Sequence, residues 1–327
     1  MIISATPLRM SFIGGGSDLP VFYRRFGGAV VSTAIDKYVY ITVNRKFDHE
    51  IRLSYSKTEN VKNAAQLEHN LVKNGLQYMG VDGGLEITSI ADIPASGSGL
   101  GSSSAFAAGL LHVLSAHQNK YISKADLAEQ VCHLELDLCQ EPIGKQDQYA
   151  VVYGGFNFIR FNQNDSVSVE PIICKPKTLR QIENSLLMFY TGISRSASGI
   201  LARQCDVLAS DRNKQQILVK MVGLAETLYQ EICKNNVDSF GEILHENWML
   251  KKSITNEVSS SQINDWYDKA LKAGALGGKL LGAGGGGFLV FYVPLEYHES
   301  VKHVLSDLRC IDFKFEAKGS SIIFYHS

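Results

Sequence analysis

The sequence predicts an α+β fold divided into two domains. Its 327 residues correspond to about two domains at ~100–200 residues each. Hydrophobic residues make up 45% of the chain and charged residues 20%, a balance typical of a globular protein with a large buried core. Segments with strand composition come first, helical segments follow, and strands return near the end. This order favours α+β domains.

Three segments of the first hundred residues predict strands. Residues 2–14, IISATPLRMSFIG, predict a short strand pair broken at Pro7. Residues 29–47, AVVSTAIDKYVYITVNRKF, are rich in Val, Ile, Thr and Tyr, which favour strands. Residues 84–94, GLEITSIADIP, alternate apolar and polar side chains, which predicts a half-buried strand.

Two helices and a further strand are predicted next. Residues 102–118, SSSAFAAGLLHVLSAHQ, carry Ala, Leu and Phe at helical spacing, and the serines open the helix. Residues 124–140, KADLAEQVCHLELDLCQ, predict a second helix with Ser123 as its N-cap. Residues 151–161, VVYGGFNFIRF, predict a return to strand.

A polar, irregular stretch at residues 163–184 predicts a domain boundary. We therefore expect one domain at residues 1–175 and a second at residues 176–327. The elements predicted after residue 184 are a strand at 185–192, helices within 198–252, a strand at 286–294, a helix at 297–308, and strands at 313–318 and 321–326.

Residues 93–105, IPASGSGLGSSSA, lie between a predicted strand and the start of a predicted helix. The first N–H groups of a helix have no intrahelical partner, and the helix dipole adds partial positive charge. Glycine lets the backbone approach phosphate oxygens, and serine hydroxyls can donate to phosphate or bind Mg²⁺. A glycine-rich turn with serine caps is the alternative. The candidate phosphate-binding residues are Ser96, Gly97, Gly99, Gly101, Ser102, Ser103 and Ser104.

Two common nucleotide-binding motifs are excluded. GxxxxGK[ST] does not occur, so the sequence contains no P-loop. GxGxxG occurs at Gly282, Gly284 and Gly287, but the segment that follows is a predicted strand instead of the helix that a dinucleotide-binding fold requires.

Charge and composition narrow the classes of partner. The formal net charge is −1 and no basic stripe is present, which argues against nucleic acid and anionic lipid as partners. The start of the chain lacks the pattern of a signal peptide, and no apolar run reaches the length of a membrane helix. The six cysteines form no CxxC pair, so we expect reduced thiols and a cytoplasmic protein.

Three stretches resemble the motifs of the GHMP kinases, the galactokinase, homoserine, mevalonate and phosphomevalonate kinase superfamily. They are PLRMSFIGGGSD at 7–18, IPASGSGLGSSSA at 93–105 and KLLGAGGGGF at 279–288, in the order that the family has. Further stretches at 14–41, 141–161 and 190–198 resemble its heptose 7-phosphate kinase branch. The resemblance implies an N-terminal domain like domain 2 of ribosomal protein S5 and a ferredoxin-like C-terminal domain. It also implies ATP, Mg²⁺ and a sugar phosphate as ligands, and it leaves a homodimer open.

The resemblance assigns two residues, Asp147 and Arg9, to the transfer itself and Asp18 to the sugar. Asp147, in IGKQDQY, would be the base that takes the proton of the sugar hydroxyl. Lys145 beside it would favour the ionised carboxylate. Arg9 would steady charge on the phosphoryl group, and Asp18 would accept hydrogen bonds from sugar hydroxyls. The alternatives are a turn cap for either aspartate and a surface salt bridge for Arg9.

The same resemblance proposes the metal ligands and shows one departure. Ser103 and Glu135 would bind Mg²⁺. Neighbouring Ser102 and Ser104 are rivals for the serine position, and Asp137 and Glu141 are rivals for the glutamate. Galactokinases carry Glu-His where this chain has Gly15 and Gly16. The loss of both side chains predicts extra space for a phosphorylated sugar.

Two further sets of residues would contact the sugar phosphate. Gly284 and Gly285 of the third motif would approach it through their backbone. Arginine binds phosphate in bidentate fashion, and Arg195 is the favoured ligand of the distal phosphate because the small residues that flank it leave room for an anion. Lys145, Arg24 and Arg25 are its rivals.

The expected activity is transfer of the γ-phosphoryl group of ATP to the anomeric C1 hydroxyl of the heptose phosphate. One alternative is a 1-kinase for another sugar, such as fucose. Another is a catalytically silent protein that senses ATP and sugar. The presence of Asp147, Arg9 and the serines argues against the silent protein.

Overall fold

The structure is a computed structural model, and it describes residues 1–93, 97–194 and 197–326. The strands are β1 Ile2–Ile13, β2 Gly28–Arg45, β3 Ile51–Ser54, β4 Thr58–Val61, β5 Leu85–Ala91, β6 Phe156–Phe161, β7 Val167–Pro171, β8 Leu186–Tyr190, β9 Gly277–Leu280, β10 Phe288–Tyr292, β11 Arg309–Ile311, β12 Phe315–Glu316 and β13 Ser321–Tyr325. The helices are α1 Pro20–Phe26, α2 Asn70–Tyr78, α3 Ser102–His117, α4 Lys124–Cys132, α5 Gln146–Tyr153, α6 Pro176–Asn184, α7 Ala197–Ser210, α8 Arg212–Cys233, α9 Phe240–Lys252, α10 Ser261–Lys272 and α11 His298–Val304.

A large mixed sheet carries the first part of the site. Its strands follow the order β13-β1-β2-β5-β3-β4, and β6 and β12 also pair with β2. The predicted strand pair at residues 2–14 is wrong, because β1 is one strand of 12 residues. Its register against β2 shifts between Pro7 and Leu8, and an irregularity of this kind tolerates a residue without an N–H.

A layer of helices covers one face of this sheet. Helix α3 packs on β1 and β2 through a face of small and branched apolar residues. Gly109 allows that approach, since a Cβ there would lie 3.1 Å from Ser4 Oγ. The predicted cap of the next helix is confirmed, because Ser123 Oγ accepts a hydrogen bond from Asp126 N at 3.1 Å.

Two boundaries in this layer differ from the prediction. The segment 124–140 is α4 followed by a π-helical turn at His133–Leu138. Val151–Tyr153 belongs to α5, and the strand starts only at Phe156. Gly154, with a φ of 66°, ends the helix in a conformation that glycine adopts without strain.

A second sheet of four strands, in the order β11-β8-β10-β9, lies in the later part of the chain. Helices α9 and α10 contact β9, and the buried Trp248 and Tyr267 belong to the same apolar cluster as the strands. The polar stretch at 163–184 contains β7 and α6 and is therefore more regular than expected. The last two strands return to the large sheet, where β12 pairs with β2 and β13 with β1.

The α+β class is confirmed by this architecture. The division at residues 175 and 176 stays a prediction. Within the part of the chain that the structure describes, no helix combines the length and apolarity needed to cross a membrane.

Candidate active site

A cavity of about 280 Å³ opens where β1, the loop before α3, the start of α5 and helix α9 meet. Most of the residues that the sequence singled out line this one cavity. They are Arg9, Gly15, Gly16, Asp18, Gly97, Gly99, Gly101, Ser102, Ser103, Ser104 and Asp147.

A buried arginine holds the candidate base. Arg9 is 3% exposed, and its Nε and Nη2 donate to the two carboxylate oxygens of Asp147 at 2.8 and 2.7 Å. Its third donor, Nη1, reaches the carbonyl oxygen of Gly99 at 2.7 Å. A bidentate pair of this kind fixes the carboxylate in one orientation. Arg9 therefore joins the candidate base to the glycine-serine loop.

Lys145 does not lie where the sequence predicted. Its ammonium donates to the carbonyl oxygen of Asp165 at 3.1 Å and lies 5.3 Å from the centre of the Tyr23 ring. It does not line the cavity. The cation beside Asp147 is Arg9. Lys145 lies only two residues before Asp147, but residues two apart at the start of a helix point in different directions.

Asp18 is buried in a set of hydrogen bonds that organises the turn it belongs to. Its Oδ1 accepts from Gly16 N at 2.9 Å and from Gln146 Nε2 at 3.0 Å, and its Oδ2 accepts from Gln146 N at 3.2 Å. Burial raises the pKa of Asp18, and the negative charge of Asp147 adds to the effect. Gln146 links this turn to the candidate base, and no sequence motif had indicated this role.

The glycine-serine loop has the geometry of an anion site. Gly97, Gly99 and Gly101 have φ values of 69°, 72° and 75°, which glycine adopts at little cost. Helix α3 starts directly afterwards, and its N-cap residue is Gly101, which has no side chain to cap the first N–H groups. These donors and the lining serines suit the phosphates of a nucleotide. Ser96, the remaining predicted member of the loop, lies outside the described residues.

Glu135 accepts hydrogen bonds from two serines of α3. Its carboxylate accepts hydrogen bonds from Ser103 Oγ at 2.7 Å, Ser104 Oγ at 2.6 Å and Gln148 Nε2 at 2.8 Å. Burial raises the pKa of Glu135 to about 7, although all three hydrogen bonds oppose the shift. Ser102 instead pairs with Ser98 Oγ at 2.7 Å.

These oxygens fit the donor preference of Mg²⁺. Glu135 lies in the π-helical turn, an irregularity that is frequent at functional sites. Of its rivals, Asp137 contacts His133 Nδ1 at 2.8 Å, and Glu141 lines the cavity and accepts from Ser198 Oγ at 2.8 Å. The described ranges contain no group of three or more His, Cys, Asp or Glu side chains that could hold a metal ion.

The third motif packs against the glycine-serine loop. A Cβ on Gly99 would lie 2.3 Å from the carbonyl oxygen of Leu281, and one on Gly287 would lie 2.5 Å from that of Ser98. Gly284 and Gly285 do not line the cavity. A Cβ on Gly284 would lie 2.7 Å from the Cα of Val258, so Gly284 packs closely against Val258. The contact of Gly284 and Gly285 with the substrate stays a prediction.

The expectation that Gly15 and Gly16 open space holds at only one position. A Cβ on Gly15 would have its nearest neighbour, Gln146 Nε2, at 3.7 Å. A Cβ on Gly16 would lie 2.4 Å from Gln204 Nε2 and 3.0 Å from Lys251 Nζ, so other side chains already fill the space there. Arg195, the predicted ligand of the distal phosphate, lies outside the described residues.

Helix α9 and strand β9 contribute buried cations that the sequence reasoning missed. Burial lowers the pKa of Lys251 to about 8 and that of Lys279 to about 7, and both lysines line the cavity. Asn247 lies one helical turn before Lys251. The sequence did contain one signal for this pair. Asn247 and Lys251 are four residues apart in a predicted helix, which places both polar side chains on the same face.

Two family models match the chain: the GHMP kinases N-terminal domain at residues 61–155 and the GHMP kinases C-terminal domain at residues 228–310. Together they cover more than half of the sequence. The chain belongs to the GHMP kinases. Members of this family use ATP as phosphate donor, and the chain is accordingly an ATP-dependent phosphotransferase.

Its relatives place it among the sugar kinases of the family. It is 27% identical to the D-glycero-alpha-D-manno-heptose 7-phosphate kinase of Campylobacter jejuni, over 97% of this chain and 97% of that protein. It is 27% identical to the bifunctional fucokinase/GDP-fucose pyrophosphorylase of Arabidopsis thaliana, over 86% of this chain and 29% of that protein.

A solved structure agrees with this placement. The D-glycero-D-manno-heptose 1-phosphate kinase from Bacteroides thetaiotaomicron superposes with a TM-score of 0.83 at 25% identity, and the match covers 100% of both chains. The predicted family and fold are thus confirmed.

Proposed function

We propose that this chain is a Mg²⁺-dependent sugar 1-kinase that acts on D-glycero-D-manno-heptose 7-phosphate. Its product is the 1,7-bisphosphate, an intermediate of nucleotide-activated heptose biosynthesis. The observation that carries the proposal is the Arg9–Asp147 pair at the cavity beside the glycine-serine loop. The end-to-end similarity to the Campylobacter jejuni kinase supports the choice of acceptor.

The pair can perform the transfer as follows. Asp147 takes the proton of the C1 hydroxyl while that oxygen forms a bond to the γ-phosphorus and the bond to the β-phosphate oxygen breaks, releasing ADP. Arg9 keeps the carboxylate oriented through two hydrogen bonds. It also places positive charge where charge develops on the phosphoryl group.

The remaining residues position the two substrates. The loop at 97–104 and the start of α3 would bind the phosphates of ATP. Ser103 and Glu135 would hold Mg²⁺, which neutralises phosphate charge when bound. Asp18 keeps the Gly16 turn against Gln146, and its carboxylate lines the cavity, where it would accept a hydrogen bond from a sugar hydroxyl. Arg195 as a phosphate ligand, a homodimer and a cytoplasmic location stay predictions.

A 1-kinase for fucose or another unphosphorylated sugar is the second candidate. The similarity to the bifunctional fucokinase/GDP-fucose pyrophosphorylase of Arabidopsis thaliana favours it. The chemistry at Asp147 is the same in both cases, and the acceptor alone differs.

The test is ADP release with ATP and Mg²⁺ against heptose 7-phosphate, mannose, fucose, galactose and mannose 6-phosphate. We expect turnover on the heptose phosphate. Asp147→Asn should lower kcat by about 10²- to 10⁴-fold, the usual contribution of a positioned base. Asp265→Asn is the matched control, because Asp265 forms an exposed ion pair with Lys269 on α10.

Each outcome of this panel has a distinct meaning. Turnover on an unphosphorylated sugar alone would retain the kinase and replace the acceptor. Binding of ATP without turnover on any acceptor would favour the silent sensor. Full activity of Asp147→Asn would remove Asp147 from the role of base.

A further inference from the structure

The cavity contains a buried lysine, Lys251, that forms no salt bridge with a described carboxylate. Burial lowers the pKa of Lys251, and the negative charge of Asp18 opposes the shift. Lys251 is 7% exposed, and its ammonium donates to the carbonyl oxygen of Gly15 and to Gln204 Oε1, each at 3.0 Å. Both acceptors are neutral, and no ion pair among the described residues includes Lys251. Buried charges are normally paired. Among the described residues the third N–H of this ammonium has no acceptor, so it is available to a ligand.

An unpaired amide lies one helical turn away. Asn247 is 0% exposed, and its Oδ1 accepts a hydrogen bond from Gly14 N at 3.2 Å. This bond sets the orientation of the amide group, and Nδ2 has no hydrogen-bond partner in the part of the chain that the structure describes. Because residues four apart share a face of a helix, Asn247 and Lys251 lie side by side on α9. Both line the cavity.

The position of the pair associates it with the acceptor. Lys251 and Asn247 contact Gly15 and Gly14 of the turn that leads to Asp18. None of their hydrogen bonds involves the glycine-serine loop at residues 97–104. The free groups are donors only, one of them charged, and phosphate offers acceptor oxygens only.

We propose that Asn247 and Lys251 form the subsite that binds the acceptor's own phosphate group. The inference rests on the proposed function, because it takes the acceptor to be a sugar phosphate. It concerns residues of α9, and it is independent of the sequence-based choice of Arg195.

Two variants and one control isolate the subsite. Lys251→Met removes the charge and keeps an unbranched side chain of similar length. Asn247→Asp keeps an oxygen for Gly14 N and replaces the free donor with an oxygen that repels phosphate. Lys252→Met is the matched control. The ammonium of Lys252 contacts Asn264 Oδ1 at 3.2 Å and lies 5.8 Å from the centre of the Trp248 ring, outside the cavity lining.

The first readout is steady-state kinetics with heptose 7-phosphate and with unphosphorylated heptose. Lys251→Met and Asn247→Asp should each raise the KM for the phosphorylated acceptor at least tenfold. The KM for ATP and the kinetics with unphosphorylated heptose should stay within twofold, and Lys252→Met should match the wild type. An equal loss for both sugars would make the pair a support of the Gly14–Gly16 turn. A rise in the KM for ATP alone would assign the pair to the nucleotide.

The second readout is calorimetric binding of heptose 7-phosphate and mannose 6-phosphate without ATP, on proteins shown to be folded by circular dichroism. If the wild type binds sugar phosphates through Lys251 but turns over none, the proposed function fails and the subsite stands. If it turns over the heptose phosphate and both variants bind like the wild type, the subsite alone fails. Absence of any sugar-phosphate binding by the wild type also overturns the subsite. Should Lys251→Met not fold, Asn247→Asp decides the comparison.

Discussion

Single buried charges set the chemistry of the cavity. Arg9 is neutralised by Asp147, whereas Lys279 has a carbonyl oxygen, that of Ser11 at 2.7 Å, as its acceptor. Burial, together with the positive charges of Lys251 and Arg9, lowers the pKa of Lys279 to about 7. A lysine that loses its proton near neutral pH in the folded state and near pH 10.5 in the unfolded state makes stability depend on pH.

Lys279→Met should reduce the pH dependence of the free energy of unfolding between pH 7 and 9. In the wild type the unfolded chain retains the proton that the folded chain has lost. The free energy of unfolding therefore gains up to about 1.4 kcal/mol per pH unit from this one group. Urea unfolding of both proteins at pH 7, 8 and 9 measures the difference. Parallel pH profiles would show that Lys279 keeps its proton throughout this range.

Among individual residues, the sequence predicted members of the cavity correctly where they belong to a short local motif. Arg9, Asp18 and Asp147 each lie in a short recognisable segment, and all three line the cavity. The direction of Lys145 could not be predicted, because its partner Asp165 lies on a turn twenty residues later. Asn247 and Lys251 have no motif of their own, and their role depends on the side chains across the cavity.

Individual elements meet closely where glycine permits it. A Cβ on Gly144 would lie 1.9 Å from Asp18 Oδ2, so the segment before α5 can approach the Asp18 turn only without a side chain. The π-helical turn after α4 similarly brings Glu135 to Ser103 and Ser104. The site therefore depends on how the ends of elements are shaped as well as on which side chains they carry.

Gly144→Ala should lower both stability and activity, because the new methyl group displaces the Asp18 carboxylate. Gly223→Ala is the matched control. Gly223 lies within α8 with no atom within 4 Å of a Cβ position, and alanine there should stabilise the protein by about 0.5–1 kcal/mol. Thermal unfolding and ADP release measure both changes. A Gly144→Ala protein as stable and active as the wild type would contradict the close packing.

Helices and strands were predicted correctly where the sequence pattern was strong, and the errors fall at the ends of these elements. The pattern of 102–118 gave α3, and the Val- and Tyr-rich run at 29–47 gave β2. The last residues of α5, Val151–Tyr153, are of types that favour strands, so their local propensity predicted a strand. Tertiary packing outweighs this propensity in the folded protein. Pro7 suggested a break, yet the strand continues through a register shift.

The whole molecule assembles the cavity from segments far apart in the chain. Arg9, Asp147 and Lys251 come from the first strand, the middle and a late helix, and the last strands return to the sheet that carries β1. Composition and motif order predicted the fold class and the family. They could not predict which late residues enter the cavity, because that depends on how α9 packs on the Gly14–Gly16 turn.

Phosphorus NMR of the product tests the central claim most directly. The protein is incubated with ATP, Mg²⁺ and heptose 7-phosphate, and the resonances of the sugar phosphates are followed. We predict a new phosphate signal that couples to the anomeric proton, while the signal of the 7-phosphate persists. A new phosphate on any other carbon, or loss of ATP without a new sugar phosphate, would contradict the assignment as a sugar-phosphate 1-kinase.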